Sequence, residues 1–96
     1  MLLFEWDPAK ARTNFRKHGV TFEDAIGVFS DPNALFGQDR IENGETRWQA
    51  IGLMGTAVLL VVAHTLREEG KDEVVRVISA RATTRKERKH YGQTCS

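Results

Sequence analysis

Between residues 34 and 80 the chain runs through four strand-like stretches separated by turn signals, and that succession constrains the fold more than any other feature. Ala34 to Gln38 reads as a strand, Glu42-Asn43-Gly44-Glu45 as a hairpin turn, and Thr46 to Leu53 as the returning strand. Gly55-Thr56 turns the chain again, Ala57 to Leu66 is the most apolar segment and the expected centre of a sheet, and Glu68 to Asp72 leads into Glu73 to Ala80. Strands joined this closely pair antiparallel, so the expected core is a four-stranded meander.

Ahead of the meander the period changes. Leu2 to Trp6 reads as a short strand, and Asp7-Pro8 as an N-cap with proline at the first helical position. The helix they open runs to about His18, is stopped by Gly19, and aligns Ala11, Asn14, Phe15 and His18 on one face. Thr21 with Asp24 caps a second helix whose inner stripe is Phe22, Ala25, Ile26 and Phe29, ended by Ser30-Asp31-Pro32-Asn33. Thr84 and Glu87 form a further capping box, opening a C-terminal helix to about Tyr91, with residues 92–96 as a frayed tail. The class is therefore α+β, a single domain over residues 1–96, with the helices expected on one face of the sheet and the other face left as the working surface.

The net charge of +1 hides a polarised distribution. Lys10, Arg12, Arg16 and Lys17 form an acid-free basic stretch; Glu23, Asp24, Asp31, Asp39, Glu42 and Glu45 oppose only Arg40; and Arg81, Arg85, Lys86, Arg88 and Lys89 face only Glu87. Two basic stretches that met in space would suit a nucleic-acid backbone, although each taken alone also reads as a solvated helix face. Cys95 is solitary, so neither a disulfide nor a cysteine metal site is expected, and no cofactor loop is present. The longest apolar run, Ala57 to Ala63, is too short for a membrane span and the N-terminus lacks a signal-peptide core, which points to a cytoplasmic protein without a membrane partner.

What remains for chemistry is a set of cations, three histidines and one tyrosine. Cleaving RNA without a metal requires taking a proton from a ribose 2'-hydroxyl, stabilising charge on the phosphorus and protonating the leaving oxygen. Arginine suits the middle task because its planar fork grips two oxygens. Arg67 and Arg81 stand at strand ends, whereas strict alternation sets Arg76 with Val74 and Ile78, on the opposite face from Arg81. His18 is a helix C-terminal dipole partner, a half-buried core residue, or an acid or base, with Lys17 beside it. His64 shares a face with Val58, Leu60, Val62 and Leu66 and reads as a core histidine. Tyr91 either anchors the last helix or aims its hydroxyl at RNA, and Glu45 and Arg47 read as a cross-strand pair.

An ordered series of these residues resembles the BrnT family of bacterial toxins: Phe4-Glu5-Trp6-Asp7 with Lys10 and Asn14; Lys17-His18-Gly19-Val20 with Phe22 and Ala25; Val28-Phe29 with Asp31; Glu45 with Arg47 and Ile51-Gly52; Val61-Val62 with Thr65 and Arg67; and Arg76 with Ile78-Ser79-Ala80-Arg81-Ala82, Glu87-Arg88 and Tyr91. The resemblance implies a RelE-like fold and a ribonuclease that arrests translation. It also implies a BrnA-like antitoxin with a ribbon-helix-helix domain, through which alone the complex would bind operator DNA. The residues it carries over as functional are Lys17, His18, Arg67, Arg81 and Tyr91, with Arg76, and the helix cations Arg85, Lys86, Arg88 and Lys89 are expected to bind RNA. With no carboxylate cluster in the sequence for magnesium, cleavage is expected to be metal-independent and to leave a 2',3'-cyclic phosphate. The alternative is a non-catalytic basic module that binds RNA or a protein.

Overall fold

The structure, a computed structural model, describes residues 1–94. A five-stranded sheet in the order β1-β5-β4-β3-β2 carries helices on both faces. Its strands are β1 (Leu2–Glu5), β2 (Leu35–Glu42), β3 (Glu45–Met54), β4 (Val58–Glu69) and β5 (Asp72–Ala82), and its helices α1 (Pro8–His18), α2 (Phe22–Ala25) and α3 (Arg85–Thr94). The four meander strands pair antiparallel in sequence order, while β1 adds to β5 in parallel. β2 extends beyond Gln38 because hairpin pairing continues, through a bulge at Asp39, to Asn43 and Gly44, which both take positive φ (53° and 77°) as a type I' turn requires.

The helix signals act as read. Asp7 accepts from the Ala9 N–H, Gly19 closes α1 in the left-handed region (φ 70°), and Thr21 accepts from the Asp24 N–H. The second helix departs from expectation: its α-helical part ends at Ala25 and residues Ile26–Ser30 tighten into a 3-10 helix. Gly27 and the β-branched Ile26 and Val28 are weak helix formers, and Asp31 holds the chain down by accepting the Leu53 N–H at 2.8 Å. Helix α3 extends to Thr94, three residues beyond the end expected at Tyr91; of the tail expected over residues 92–96, Cys95 and Ser96 lie outside the described residues.

The core sits between α1, α2 and the 3-10 turn on one side and the sheet on the other. Phe22, Ala25 and Val28 pack on Ala50, Leu60, Val62, Val75, Val77 and Ala80. A Cβ at Gly52 would lie 2.9 Å from Val28 Cγ1, so only glycine lets the 3-10 turn come this close to β3. His64 is buried as the pattern indicates: its Nδ1–H donates to the Val62 carbonyl at 3.1 Å, its ring meets Phe29 edge-on, and burial pushes its pKa down. Of the α1 stripe only Asn14 is buried; Phe15 is 51% exposed and His18 is exposed too, which removes the half-buried core reading of that histidine.

The expectation that all helices share one face fails. Helix α3 crosses the other side, where Tyr91 packs with Ile51 and Val61 and with Leu35, Leu53 and Leu59. Tyr91 is 8% exposed and its hydroxyl donates to Asp31 Oδ2 at 2.7 Å. Burial pushes the Asp31 carboxyl up, but hydrogen bonds from Tyr91, Leu53 and Asn33 outweigh it and hold it below the ordinary value. The ring and hydroxyl thus tie the last helix to the body of the protein, the anchoring role that the sequence offered for Tyr91.

Candidate active site

The site begins with a break in strand alternation. Ala63 pairs with Ser79 but His64 pairs with Val77, so Ile78 is an extra residue in β5. Because of it, Ser79 and Arg81 on one side of the bulge and Arg76 on the other all share the face of Val61, Ala63, Thr65 and Arg67. The sequence reading put Arg76 on the opposite face from Arg81; the bulge overturns that. Arg76 and Arg81 stand opposite Thr65 and Val61, a separation of about 13 Å along β4 with Ser79 between them. Arg67 belongs with Arg76, and lies about 20 Å from Arg81, because antiparallel strands end at opposite edges.

Each guanidinium is held by a carboxylate, and the atoms used distinguish the three. Arg67 gives Nη1 and Nη2 to both oxygens of Glu5 (2.7 and 2.9 Å) and Nε and Nη2 to Glu69 (3.3 and 3.0 Å), so its end fork and its side fork are both filled. Arg76 gives only Nη1 to Glu5, at 3.0 Å. Arg81 gives Nη1 and Nη2 to Glu87 (2.8 and 2.9 Å) and Nη1 to the Ala82 carbonyl (3.2 Å). Among the described residues, Arg76 and Arg81 therefore keep the side fork of Nε–H and one Nη2–H, the pair of parallel donors that matches two phosphate oxygens. The charges are strongly coupled: hydrogen bonds from Arg67 and Arg76 hold Glu5 down at about 2, Arg81 holds Glu87 down at about 2, and Glu87, with a smaller contribution from Asp39, raises Arg81.

Helix α1 closes the site at the free edge of β5. Beyond Arg76, β1 no longer pairs with β5, and Asn14 takes over: its Nδ2 donates to the carbonyls of Ala80 (2.9 Å) and Val20 (3.1 Å), and its Oδ1 accepts the Ala80 N–H (3.1 Å). This contact draws α1 along the bulge and leaves a groove of about 320 Å³ whose walls include Lys10, Lys17, His18, Ile78 and Ser79. The two basic stretches thus approach β5 from opposite faces of the sheet, α1 beside Ser79 and α3 beside Arg81. Arg85, Lys86, Arg88 and Lys89 are all exposed on α3.

Of the residues expected from sequence, Lys17 and His18 line the groove beside Ser79, Arg76 and Arg81 flank Ser79 along β5 on the face that carries α3, Arg67 lies farther along the sheet, and Tyr91 is buried. Sequence reasoning assigned no site role to Glu5, Glu87 or Asn14, whose partners lie up to 71 residues away; Glu87 was legible only as the cap of α3, Asn14 only as part of the α1 stripe, and Glu5 only through its match to a family position. It also misassigned Arg47: the register sets Arg47 opposite Arg40 and Glu45 opposite Glu42, not Glu45 against Arg47.

The profile of a family described as the ribonuclease toxin, BrnT, of type II toxin-antitoxin systems matches residues 6–87. The crystal structure of the Brucella abortus ribonuclease toxin BrnT superposes with a TM-score of 0.65 at 25% sequence identity, covering 88% of this chain and 99% of that one. No curated protein sequence matches the chain.

Proposed function

The chain belongs to the BrnT family of ribonuclease toxins of type II toxin-antitoxin systems, and on that premise we propose that it is a metal-independent endoribonuclease whose active site is the β5 bulge. The observation that carries the reading is the extra residue Ile78, which turns Arg76 to the face of Arg81 and opens Ser79 toward the groove of Lys17 and His18. In the reaction the 2'-hydroxyl of RNA loses its proton, its oxygen bonds to the adjacent phosphorus, the bond from phosphorus to the 5' oxygen breaks, and that oxygen takes a proton. The products are a 2',3'-cyclic phosphate and a 5'-hydroxyl. Arg81 supplies a free fork for the non-bridging oxygens of the scissile phosphate, a contribution of about 10²- to 10³-fold for such a donor, and Arg76, about 13 Å away along the sheet and held toward Glu5, takes a neighbouring phosphate and so sets which bond lies over the site. His18 exchanges a proton with the reacting oxygens, worth about 10²- to 10⁴-fold, with the Lys17 ammonium beside it.

Support for metal independence lies in the carboxylates of the site: Glu5 and Glu87 are both committed to guanidinium groups rather than grouped for a cation. The filled forks of Arg67 fit a structural role, pinning the end of β1 to β4 across the intervening β5, and we therefore place it outside the catalytic set. Exposed Arg85, Lys86, Arg88 and Lys89 supply diffuse attraction to the RNA backbone. Cleavage in the cell arrests translation until a BrnA-like antitoxin, dimerised through a ribbon-helix-helix domain that binds operator DNA, covers the cationic face.

The test is cleavage of an RNA oligonucleotide by purified protein, comparing the parent with Arg76→Ala and His18→Gln. The proposal expects each variant to bind RNA within a few-fold of the parent and to cut it at least tenfold more slowly. RNA bound but never cut by the parent would instead identify a binding module, and an unchanged rate in both variants would move the site elsewhere.

A further inference from the structure

Glu87 does two jobs that are separable. It is the third helical residue of the capping box, with its Oε1 accepting the Thr84 N–H at 2.8 Å and its own N–H donating to Thr84 Oγ1 at 3.2 Å. A cap of this kind needs one acceptor atom and no charge, and glutamine serves it as well as glutamate. Yet both Glu87 oxygens also face Arg81, through Nη1 at 2.8 Å and Nη2 at 2.9 Å, with the Glu87 side chain only 22% exposed. Two parallel bonds fix the plane of a guanidinium, not merely its distance.

The remaining contact of Arg81 completes the constraint. The second Nη1 hydrogen goes to the Ala82 carbonyl at 3.2 Å, so three of the five N–H groups hold the head group in place. The two left over, Nε–H and one Nη2–H, lie on a single edge. Because Glu87 occupies the end fork, a phosphate does not have to displace it in order to reach the side fork.

We propose that Glu87 is a positioning residue for cleavage: it clamps the end fork of Arg81 so that the side fork is already aimed at the phosphate when RNA arrives. This rests on the assignment of Arg81 to the active site. A guanidinium fixed before the reaction stabilises the transition state without reorganising, so the clamp acts on kcat. The opposite view, a carboxylate that competes with phosphate and restrains the enzyme, predicts the opposite sign.

Steady-state cleavage of an RNA oligonucleotide by purified Glu87→Gln, Glu87→Asp and Thr84→Ala decides between them. Glu87→Gln keeps a capping acceptor and loses the charge; Glu87→Asp keeps the charge but is too short to fill both bonds. Both should lose at least tenfold in kcat with KM unchanged or, for Glu87→Gln, lower, since removing a negative charge favours RNA binding. Thr84→Ala, which weakens the cap and spares the clamp, should lower the melting temperature while keeping kcat within twofold. In an Arg81→Ala background Glu87→Gln should have no further effect on kcat. The proposal is overturned if either Glu87 variant matches or exceeds the parent, or if Thr84→Ala loses as much kcat as Glu87→Gln. Parental kcat in Arg81→Ala itself would overturn the active-site assignment instead, a separate and recognisable outcome.

Discussion

Asn14→Ala should unfold this protein more readily than any loss of a single apolar contact would suggest. The side chain is 6% exposed and makes three hydrogen bonds, donating to the carbonyls of Ala80 and Val20 and accepting the Ala80 N–H. Each neutral bond contributes about 1 kcal/mol, and a buried donor or acceptor left without a partner costs a further 1–3 kcal/mol or so. Water entering the vacated space restores part of this, and a net loss of about 3–4 kcal/mol follows, a large share of the roughly 5–15 kcal/mol that holds a small domain together. Urea unfolding followed by the fluorescence of Trp6 and Trp48 reads it: at an m value of about 1 kcal/mol per molar, the midpoint falls by about 3–4 M. Asn14→Asp should lose at least as much, because a carboxylate still accepts from Ala80 but faces two carbonyl oxygens it cannot donate to. A loss below about 1 kcal/mol for Asn14→Ala would show that the edge of β5 does not depend on this residue, and that α1 is held along the bulge by something else.

Arg67→Ala should lower stability while leaving RNA cleavage within a few-fold of the parent; thermal melting and cleavage measured side by side check this, and a loss of cleavage as deep as that of Arg81→Ala would return Arg67 to the catalytic set. Gly52→Ala places a Cβ 2.9 Å from Val28 and 3.2 Å from Asp31 and Ala34, and should cost about 1–3 kcal/mol in urea unfolding; parental stability would mean that the 3-10 turn yields freely. Glu87, depressed from 4.5 to about 2, contributes stability that is full above about pH 4.5 and lost as pH falls toward 2, about 1–2 kcal/mol after allowance for solvent screening. Urea midpoints at pH 5 and pH 2.5 should therefore separate less in Glu87→Gln than in the parent, and equal separations would refute the pair's contribution. Bound antitoxin should slow hydrogen exchange in α3 and the C-terminal half of β5; protection confined to residues 23–45 would mean inhibition from a distance.

Local chemistry was legible because it is enforced locally. Asn43-Gly44 can adopt two successive positive φ values at little cost, Asp7-Pro8 and Gly19 bound α1 by the geometry of helix ends, and the apolar run through β4 leaves little choice but the centre of the sheet. The site depends on what is not local. The parallel addition of β1 to β5 joins residues more than 70 positions apart, and with it comes Glu5, the carboxylate shared by Arg67 and Arg76. The bulge at Ile78 leaves no mark in the composition of Arg76 to Ala82, yet a one-residue slip moves every side chain beyond it to the other face. Strict alternation was the right rule for β4 and the wrong one for β5. Tyr91 illustrates the converse: the sequence offered anchoring or an RNA-facing hydroxyl, and what it could not supply was the partner, Asp31, which lies 60 residues away and accepts from the hydroxyl.

If the β5 bulge, with Arg81 at its heart, cleaves RNA without a metal, a chelator leaves the rate untouched and loss of Arg81 does not. Single-turnover cleavage with saturating toxin and EDTA tests it most directly, comparing the parent with Arg81→Ala and Arg85→Ala and identifying the product ends. The parent should cut at full rate with chelator present and leave a 2',3'-cyclic phosphate, Arg81→Ala should be slowed by about 10²-fold or more, and exposed Arg85→Ala should stay within a few-fold of the parent. Cleavage abolished by EDTA and restored by magnesium, or an Arg81→Ala enzyme as fast as the parent, would contradict it.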